Sequence, residues 1–521
     1  MSGIEKCKLL IIGLDGVSFD LLDPWFEDGE LPHLRRLKEE GCAGPLMSVP
    51  NLHSAAAWTS MVTGKNPGKH GVYFFVERDR DLNYKFFSGA DRKTKAIWNI
   101  LNEGGMTTGI INVPMTFPAE AVKGIMISGL DSPSIKDKRS IYPSYLTDTC
   151  DVLKERYDIV PPVQDLIQKE KPDTAVQKWL DIISSRIQLC EQLFENFTFD
   201  FFMITFLASD WANHNLWKYC DPSYPLYSEE KGKKFGHLLL EIYKKLDFAV
   251  GELLRLSGPD TNIMVVSDHG AGKHQLGSFY LTDWMIQNQF MFLVQQSRWK
   301  SLPKHTSDKT ITLMKKLIPH NIQESAKGKF PKLRKLLREK KREQVGQYLF
   351  ESIDWTKTKA YTEMKAHNIW INLIGKWEHG IVNPGKEYKE LCHLLKGKLS
   401  DWKDEKTGRP VVENVFHKDE IYQGPYSERA PDLQIRWNDN VVLYPARRSL
   451  FGKRIQKMIN EGWSGDHRLN GIFLARGPKF KKGAWADNLS IYDVTPTALC
   501  LLDFPVEVDY DGRVIREFLV D

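Results

Sequence analysis

Three aspartates and three histidines lie beside short apolar runs that are far apart in the sequence. They are Asp15, Asp210, His214, Asp268, His269 and His467. In an open α/β sheet the carboxyl ends of parallel strands meet at one edge, so polar residues at the ends of such runs can converge there. Carboxylates together with imidazoles favour zinc, manganese or iron over calcium or magnesium. The set therefore indicates a site for two divalent cations, which can clamp the attacking and leaving oxygens of a phosphoryl group.

Each of these residues also has a simpler interpretation. Asp15 stands in "GLDG", and Asp-Gly is a common turn pair. Asp210 and His214 are four residues apart and share a face only where their segment is helical. Asp268 and His269 follow an apolar run in "VVSDHG", where burial without a partner would be costly. The prediction of a metal site therefore depends on the whole set converging.

The segment "HSAAAWTSMVTG", residues 53–64, contains the candidate nucleophile. If this segment is a helix, Ser54 lies at its N-terminus, where free backbone N–H groups and the helix dipole favour negative charge. A metal ion touching the Ser54 hydroxyl would lower its pKa and activate it for attack. The alternative is that Ser54 only caps the helix, a common role for serine. Residues 53–64 alone leave both interpretations open.

The elements that must position these residues alternate between strand and helix patterns. Strand-length apolar runs occur in "KLLIIGLDG", "TTGIINVP", "GIMISGLD", "DFFMITFLASD", "NIMVVSDHG" and "NGIFLARGP". Amphipathic stretches such as "FGHLLLEIYKKLDFAVGELLRL" separate them. This order predicts an α/β fold with a central, mostly parallel sheet and helices on both faces.

Two regions depart from this alternation. Residues 298–342 contain fifteen Lys and Arg against three acidic residues. They read as a solvated helical face, or as a surface that attracts an anionic substrate, nucleic acid or another anionic surface. Residues 375–445 are rich in Gly, Pro and Trp and indicate a further excursion from the sheet. We therefore predict a catalytic core of residues 1–295 and 446–521, with an insertion or cap at 296–445.

The composition of the 521 residues is that of a globular protein, with 42% apolar and 27% charged residues. A net charge of +5 over this length does not by itself indicate nucleic acid or membrane. The seven cysteines are scattered and form no CxxC pair, which favours reduced thiols. The start "MSGIEKCKLLIIGLDG" lacks a signal-peptide pattern, and no run has the length of a membrane helix. We expect a cytoplasmic location and no transmembrane segment.

Six motifs together resemble the alkaline phosphatase superfamily, in particular its nucleotide pyrophosphatase/type I phosphodiesterase branch. They are "LIIGLDG", "HSAAAWTSMVTGKNPGKHG", "SDWANH", "VVSDHG", "GDHRLNG" and "SIYDVTPTALCLL", in that family's order. The resemblance implies a three-layer α/β sandwich with inserted cap segments. It also implies two divalent metal ions, with zinc first and manganese or iron as alternatives. The substrate it implies is a small phosphate ester such as a nucleotide.

The same resemblance implies a role for each candidate residue. Asp210, His214 and His467 would hold one metal ion, and Asp15, Ser54, Asp268 and His269 would hold the other. Ser54 would attack phosphorus, form a covalent phosphoserine and be released by water in a second displacement.

Two departures from the family pattern concern the substrate site. Phosphodiesterases of this branch often have an asparagine in the loop after the nucleophile helix, where Phe75 stands here. Lys69, Lys273 and His274 are candidates for the missing contact to a phosphate oxygen. The nucleophile is serine, where close relatives usually have threonine, and serine can perform the same chemistry.

Three other functions compete with a phosphodiesterase. A sulfatase is disfavoured, because it needs a C/S-x-P-x-R context and Ser54 is followed by Ala-Ala-Ala-Trp. A cofactor-independent phosphoglycerate mutase shares the metal set, but its inserted domain follows the nucleophile more closely than the basic segment 298–342 does. A non-catalytic member that binds polyanions is the third alternative, although it would not need all six ligands and the hydroxyl.

Overall fold

A computed structural model describes residues 7–294, 350, 352–363, 366–443 and 463–520. The six apolar runs that predict strands each contain a strand of the central sheet. The strands of the structure are β1 (Cys7–Leu14), β2 (Cys42–Met47), β3 (Val76–Arg78), β4 (Tyr84–Phe86), β5 (Thr108–Ile111), β6 (Gly124–Ile127), β7 (Ile141–Tyr142), β8 (Phe199–Phe206), β9 (Asn262–Val266), β10 (Gly270–Lys273), β11 (Ala360–Tyr361), β12 (Asn368–Ile371), β13 (Val412–His417), β14 (Leu433–Trp437), β15 (Gly465–Arg468), β16 (Asn470–Arg476), β17 (Ala484–Trp485) and β18 (Leu489–Ser490).

The helices connect these strands in the same alternating order. They are α1 (Phe19–Glu27), α2 (Pro32–Glu40), α3 (Ser54–Thr63), α4 (Pro67–His70), α5 (Ile97–Glu103), α6 (Leu146–Thr149), α7 (Asp151–Glu155), α8 (Gln164–Gln168), α9 (Pro172–Asn196), α10 (Ala208–Cys220), α11 (Glu229–Phe235), α12 (Leu238–Ser257), α13 (Gly277–Gln287), α14 (Lys386–Ser400), α15 (Lys418–Ile421) and α16 (Val494–Leu501). Short 3-10 turns occupy Gly89–Asp91, Lys138–Ser140, Ser427–Arg429, Ile491–Asp493 and Arg516–Phe518. No helix of the described residues is long and apolar enough to cross a membrane.

The central sheet is mostly parallel, as predicted. Its order is β17-β2-β16-β9-β1-β8-β5-β6-β7, and β18 also pairs with β2. The five strands from β9 to β6 run parallel to one another. β16 is antiparallel to both of its neighbours, β2 and β9. As a result, the residues just before β16 lie at the same sheet edge as the residues just after β1, β8 and β9.

Helices cover both faces of the sheet and make a three-layer sandwich. In β1, Leu10 and Ile12 belong to the hydrophobic core on one face, which also contains residues of α1, α2, α9 and α12. Leu9 and Ile11 belong to the core on the other face, with residues of α3, α5 and α16. This period-2 alternation buries an uninterrupted apolar strand on both sides. The predicted fold class is confirmed.

A second, smaller sheet forms in the region predicted to leave the core. Its order is β11-β12-β14-β13, and all of its pairs are antiparallel. It packs with α13 and α14 around a third hydrophobic cluster that includes Leu281, Ile369, Leu395 and Ile435. The predicted boundaries of the insertion, 295/296 and 445/446, fall outside the described residues. The basic segment 298–342 also lies outside them.

Candidate functional site

The carboxyl edge of the sheet gathers the predicted Asp and His ligands from four parts of the chain. Asp15 follows β1, and its backbone N–H donates to Phe206 O at the end of β8, 3.0 Å away. Asp268 and His269 lie between β9 and β10. His467 lies in β15, where it pairs with Ala271 of β10 just before the chain enters β16. Asp210 and His214 share one face of α10, as a helix through "SDWANH" requires.

One group of donor atoms consists of Asp210, His214 and His467, and these atoms all lie within 4.8 Å of one another. Asp210 Oδ1 is 3.2 Å from His214 Nε2 and 3.5 Å from His467 Nε2. The two histidine Nε2 atoms are 3.1 Å apart. Two imidazoles and one carboxylate that converge in this way have the composition of a transition-metal site.

Backbone carbonyls fix the tautomer of the three histidines. The Nδ1 atoms of His214, His269 and His467 lie 2.7, 2.9 and 2.6 Å from the carbonyl oxygens of Gly465, Gly270 and Leu52. A carbonyl oxygen only accepts hydrogen bonds, so each Nδ1 must carry a proton. In its neutral form each ring therefore turns the lone pair of its Nε2 toward the site, which is the orientation that metal-binding histidines adopt.

A second group surrounds His269. Its Nε2 atom is 3.4 Å from Asp15 Oδ1, 3.5 Å from Asp268 Oδ2 and 3.3 Å from the Ser54 hydroxyl. Asp15, Asp210 and His269 also have donor atoms within 4.8 Å of one another, so Asp210 faces both groups. The structure thus brings together all seven residues predicted from the sequence. Their roles as metal ligands and nucleophile stay predictions.

The buried carboxylates repel one another in this arrangement. Burial, with the nearby charges of the other aspartates, raises the pKa values of Asp15 and Asp268 well above their ordinary range. Burial also opposes ionisation of Asp210, but the charges and hydrogen bonds of His214 and His467 outweigh it and hold its pKa well below that range. Within the described residues, Asp15 Oδ1 and Asp268 Oδ2 have no hydrogen-bond partner.

The pKa values of His269 and His467 are shifted in opposite directions. Burial and the neighbouring His467 lower the pKa of His269 to about 3. Burial also disfavours charge on His467, but its hydrogen bond and charge interaction with Asp210 raise its pKa to about 9. Their rings stack with centroids 3.6 Å apart. Asp15 Oδ1 and Asp268 Oδ2 have no hydrogen-bond partner among the described residues and lie near His269 Nε2. Bound cations would satisfy these oxygens, so the residues present fit two divalent metal ions.

Ser54 is the first residue of α3, and the interpretation of Ser54 as the N-cap is wrong. The cap is His53, whose Nδ1 atom accepts a hydrogen bond from the Ala55 N–H at 3.3 Å. The Ser54 hydroxyl is therefore not engaged in capping and lies next to His269. The three alanines that follow are completely buried and bring the start of the helix close to the sheet edge.

Trp58 connects α3 to Asp15 through a hydrogen bond. Its indole N–H donates to Asp15 Oδ2 at 3.0 Å, which leaves Oδ1 facing His269. The contact requires a glycine in β1, because a Cβ atom on Gly13 would lie 2.4 Å from the Trp58 ring. Reasoning from the sequence missed the roles of His53 and Trp58. Trp58 and Asp15 are 43 residues apart, and no pattern in the sequence marks them as partners. The capping role of His53 depends on the extended backbone before α3.

The three residues predicted to replace the missing asparagine have other partners. Lys69 Nζ contacts Asp511 at 2.9 Å and the Asp509 carbonyl at 2.8 Å. Lys273 Nζ donates to Ser223 Oγ at 3.1 Å. His274 is buried, and its Nδ1 atom accepts from the Leu276 N–H at 2.8 Å. Phe75, at the asparagine position, packs near the His53 ring with centroids 5.3 Å apart.

Comparisons with known proteins agree with this architecture. Human ectonucleotide pyrophosphatase/phosphodiesterase 5 is similar over 99% of this chain and 100% of its own, with 14% identity and a TM-score of 0.51. An inactive variant of the murine protein, in complex with AMP, is similar over 98% and 100%, with 13% identity and a TM-score of 0.51. A substituted variant of the alkaline phosphatase PafA is similar over 98% and 99%, with 13% identity and a TM-score of 0.52. At these identities the likeness shows a shared fold.

No sequence among the curated proteins matches the chain significantly. The family described as type I phosphodiesterase/nucleotide pyrophosphatase matches residues 9–450, which include all of the site except His467. The chain therefore belongs to the type I phosphodiesterase/nucleotide pyrophosphatase family.

Proposed function

We propose that this chain is a two-metal phosphodiesterase that cleaves a small phosphate diester through a covalent phosphoserine on Ser54. The observation that carries the proposal is the position of the Ser54 hydroxyl. It lies 3.3 Å from His269 Nε2, at the first residue of α3 and beside the second group of donor atoms, which shares Asp210 with the first. Membership of the family supports phosphoester hydrolysis as the reaction class.

We assign the candidate ligands to two cations according to the two groups of donor atoms. Asp210, His214 and His467 would hold one divalent cation, and Asp15, Ser54, Asp268 and His269 would hold the other. Mixed imidazole and carboxylate donors make zinc the first candidate, with manganese or iron as alternatives. When bound, the two cations supply positive charge for the attacking oxygen, the leaving oxygen and the oxygens that remain on phosphorus.

The chain itself orients the nucleophile and the ligands. The N-terminus of α3 favours negative charge on Ser54 Oγ as its proton leaves. In the first displacement the bond from Oγ to phosphorus forms while the bond to the leaving alcohol breaks, and the proton that Oγ loses passes through solvent water to the departing oxygen. In the second, a water oxygen replaces Oγ on phosphorus, and one proton of that water passes to the serine oxygen. The carbonyls that hold His214, His269 and His467 keep their Nε2 atoms aimed inward throughout.

A nucleotide is the substrate class with the most specific support. The murine structural neighbour is a complex with AMP. In this chain, aromatic rings of Phe74 and Phe75 lie 5.1 and 5.3 Å from the ring of His53, which precedes the nucleophile. Such rings give a base or another flat leaving group a surface to stack on.

The test is hydrolysis of bis-p-nitrophenyl phosphate and p-nitrophenyl phosphate by protein stripped of metal and then titrated with Zn²⁺ or Mn²⁺. We expect metal-dependent cleavage that prefers the diester and is lost in Ser54→Ala and Asp268→Ala. Ser60→Ala is the matched control, because Ser60 lies in the same helix but its hydroxyl pairs with His70 at 2.9 Å, away from the ligands.

Other outcomes would contradict the proposal. Full activity of Ser54→Ala would mean that water, not serine, is the nucleophile. Turnover that is indifferent to metal would exclude the two-metal mechanism. Transfer of the phosphoryl group between two hydroxyls of one substrate, with no release to water, would favour the mutase alternative.

A further inference from the structure

His367 lies on the second sheet, immediately before β12, and its ring is held in a fixed position. The Trp437 indole N–H, from β14, donates to His367 Nδ1 at 3.0 Å. The His367 carbonyl accepts from the Ile435 N–H at 2.7 Å and from Gln434 Nε2 at 2.9 Å. Both the ring and the backbone of His367 are thus anchored to β14.

The contact with Trp437 determines which nitrogen of His367 carries the proton. An indole N–H only donates hydrogen bonds, so His367 Nδ1 must be the acceptor and lacks a proton. The proton of the neutral ring is therefore on Nε2. No residue in the described part of the chain accepts a hydrogen bond from this N–H, and the side chain is half-buried. This tautomer is the reverse of that in the three candidate metal ligands, whose Nδ1 atoms carry the proton.

His367 lies close enough to residues of the predicted site to interact with them electrostatically. Its electrostatic neighbours are Asp466, His467 and Arg468 of β15, and it acts in turn on His53, the cap of α3. A direct link joins the same two parts of the chain, because Arg468 Nε lies 3.3 Å from Asp439, two residues after β14. The His367 ring therefore lies near both His467 and the helix end that carries Ser54.

The described residues assigned to the proposed site still lack a hydrogen-bond donor to a non-bridging oxygen of the phosphate ester. A phosphodiester has two non-bridging oxygens, and the family's asparagine that would contact one of them is replaced by Phe75. Lys69, Lys273 and His274 have the partners described above. A neutral N–H donor suits the single negative charge of a diester, because it adds a hydrogen bond without adding the positive charge that would favour a doubly charged monoester.

We infer that His367 contacts the substrate and donates its Nε2–H to a non-bridging oxygen of the bound phosphate ester. The inference rests on the proposed function, since it needs a phosphate ester beside Ser54. Burial lowers the pKa of His367 and keeps it a neutral donor. The second sheet would in this way supply one residue of the substrate site, and the core would supply the ligands and the nucleophile.

The test compares three variants of the full chain, all loaded with the metal that gives activity. His367→Phe keeps a flat ring but removes the donor. His367→Gln restores an N–H near the position of Nε2. Trp437→Phe leaves His367 in place but removes the group that fixes its tautomer. His379→Gln is the matched control, because His379 is exposed on the same part of the chain.

We expect His367→Phe to lower kcat/KM for bis-p-nitrophenyl phosphate by roughly tenfold to a hundredfold, the usual effect of losing a hydrogen bond to a charged group. His367→Gln should recover most of the lost kcat/KM. Trp437→Phe should lower kcat/KM less than His367→Phe does, and His379→Gln should match the wild type. Activity on p-nitrophenyl phosphate should fall less than activity on the diester. A readout besides turnover is the dissociation constant of bis-p-nitrophenyl phosphate from Ser54→Ala protein by calorimetry. It should rise by a similar factor when His367→Phe is added.

The failure of this inference is distinguishable from failure of the proposed function. If the wild type shows metal-dependent activity that Ser54→Ala abolishes, but His367→Phe changes neither kcat/KM nor the dissociation constant, His367 does not contact substrate. Equal losses in His367→Phe and His367→Gln, with a lower Tm in both, would assign His367 a structural role only. A wild type without metal-dependent turnover would overturn both proposals.

Discussion

The substitution Asp268→Asn should stabilise the metal-free protein and at the same time remove its stabilisation by metal. Asp268 Oδ2 is buried without a hydrogen-bond partner among the described residues, and burial with the nearby carboxylates raises its pKa. Asparagine keeps the oxygen that accepts from the Gly16 N–H at 3.3 Å. Its amide can also donate toward Asp15. Removing an unsatisfied buried charge should increase the free energy of unfolding by about 1–3 kcal/mol in the presence of a chelator at pH 7.

With metal bound, the wild type should become more stable than Asp268→Asn. A cation that binds only the folded protein adds RT ln(1 + [L]/Kd), about 4 kcal/mol at a thousandfold excess over Kd. The wild type should gain this stability, and Asp268→Asn should gain little of it because one ligand is lost. The assay is thermal unfolding of both proteins with chelator and with Zn²⁺ at several concentrations.

The raised pKa values of Asp15 and Asp268 also set the pH dependence of the metal-free form. In the unfolded chain these groups lose their protons near their ordinary pKa, and in the folded protein they lose them only at higher pH. Their contribution to stability is therefore complete below the unfolded pKa and is lost as the pH rises through the folded values. The excess in unfolding free energy of metal-free Asp268→Asn over metal-free wild type should therefore grow as the pH rises from about 4.

Asp247→Asn is the matched control for this experiment. Asp247 is also buried with a raised pKa, but its two oxygens accept from the N–H groups of Leu34 and His33 at 2.7 and 3.2 Å. We expect this substitution to destabilise the protein equally with and without metal. The reasoning is refuted if Asp268→Asn destabilises the metal-free protein as Asp247→Asn does. It is also refuted if Asp268→Asn keeps the full stabilisation by Zn²⁺.

Three further substitutions test contacts that support the site. Trp58→Phe removes the hydrogen bond to Asp15 and should weaken metal affinity about 10- to 100-fold, measured by competition with a chelating dye. Gly13→Ala places a methyl group against the Trp58 ring, so its metal affinity should fall at least as far and its unfolding free energy by about 1–3 kcal/mol; unchanged values would mean that the ring can move away without cost. Asn66 caps α4 and accepts from the Gln423 N–H at 3.2 Å, so Asn66→Ala should lower stability by about 1 kcal/mol but leave KM unchanged, as checked by chemical unfolding and diester kinetics.

The central sheet could be predicted because its strands are apolar runs buried on both faces, as in β1 and β8. Helical spacing placed Asp210 and His214 on one face of α10, and the strand ends placed Asp15 and Asp268 at one edge. The direction of β16 could not be predicted, because an apolar run does not show whether it runs parallel or antiparallel to its neighbours. That direction is what brings His467, which precedes its strand, to the edge reached by residues that follow theirs.

The roles of two histidines were also beyond prediction. His53 reads as an ordinary neighbour of Ser54, but its ring caps the helix because the backbone before α3 is extended. His367 stands in "EMKAHNIW", which has no feature of a substrate site. Its tautomer depends on a hydrogen bond to Trp437, seventy residues away. The function of the basic segment 298–342 stays a prediction.

The place of β16 in the sheet has a consequence for synthesis of the protein. β16 is made after β1, β2, β8 and β9, yet it inserts between β2 and β9. Until residues 470–476 leave the ribosome, β2 and β9 lack the strand that joins them, so each has an open edge with unpaired backbone groups. A chain that ends before β15 would retain five of the six Asp and His ligands, but it would have a divided sheet and a tendency to aggregate. Pairing of β16 and arrival of His467 are therefore one event, so a newly made chain acquires its last ligand only when β16 joins β2 to β9.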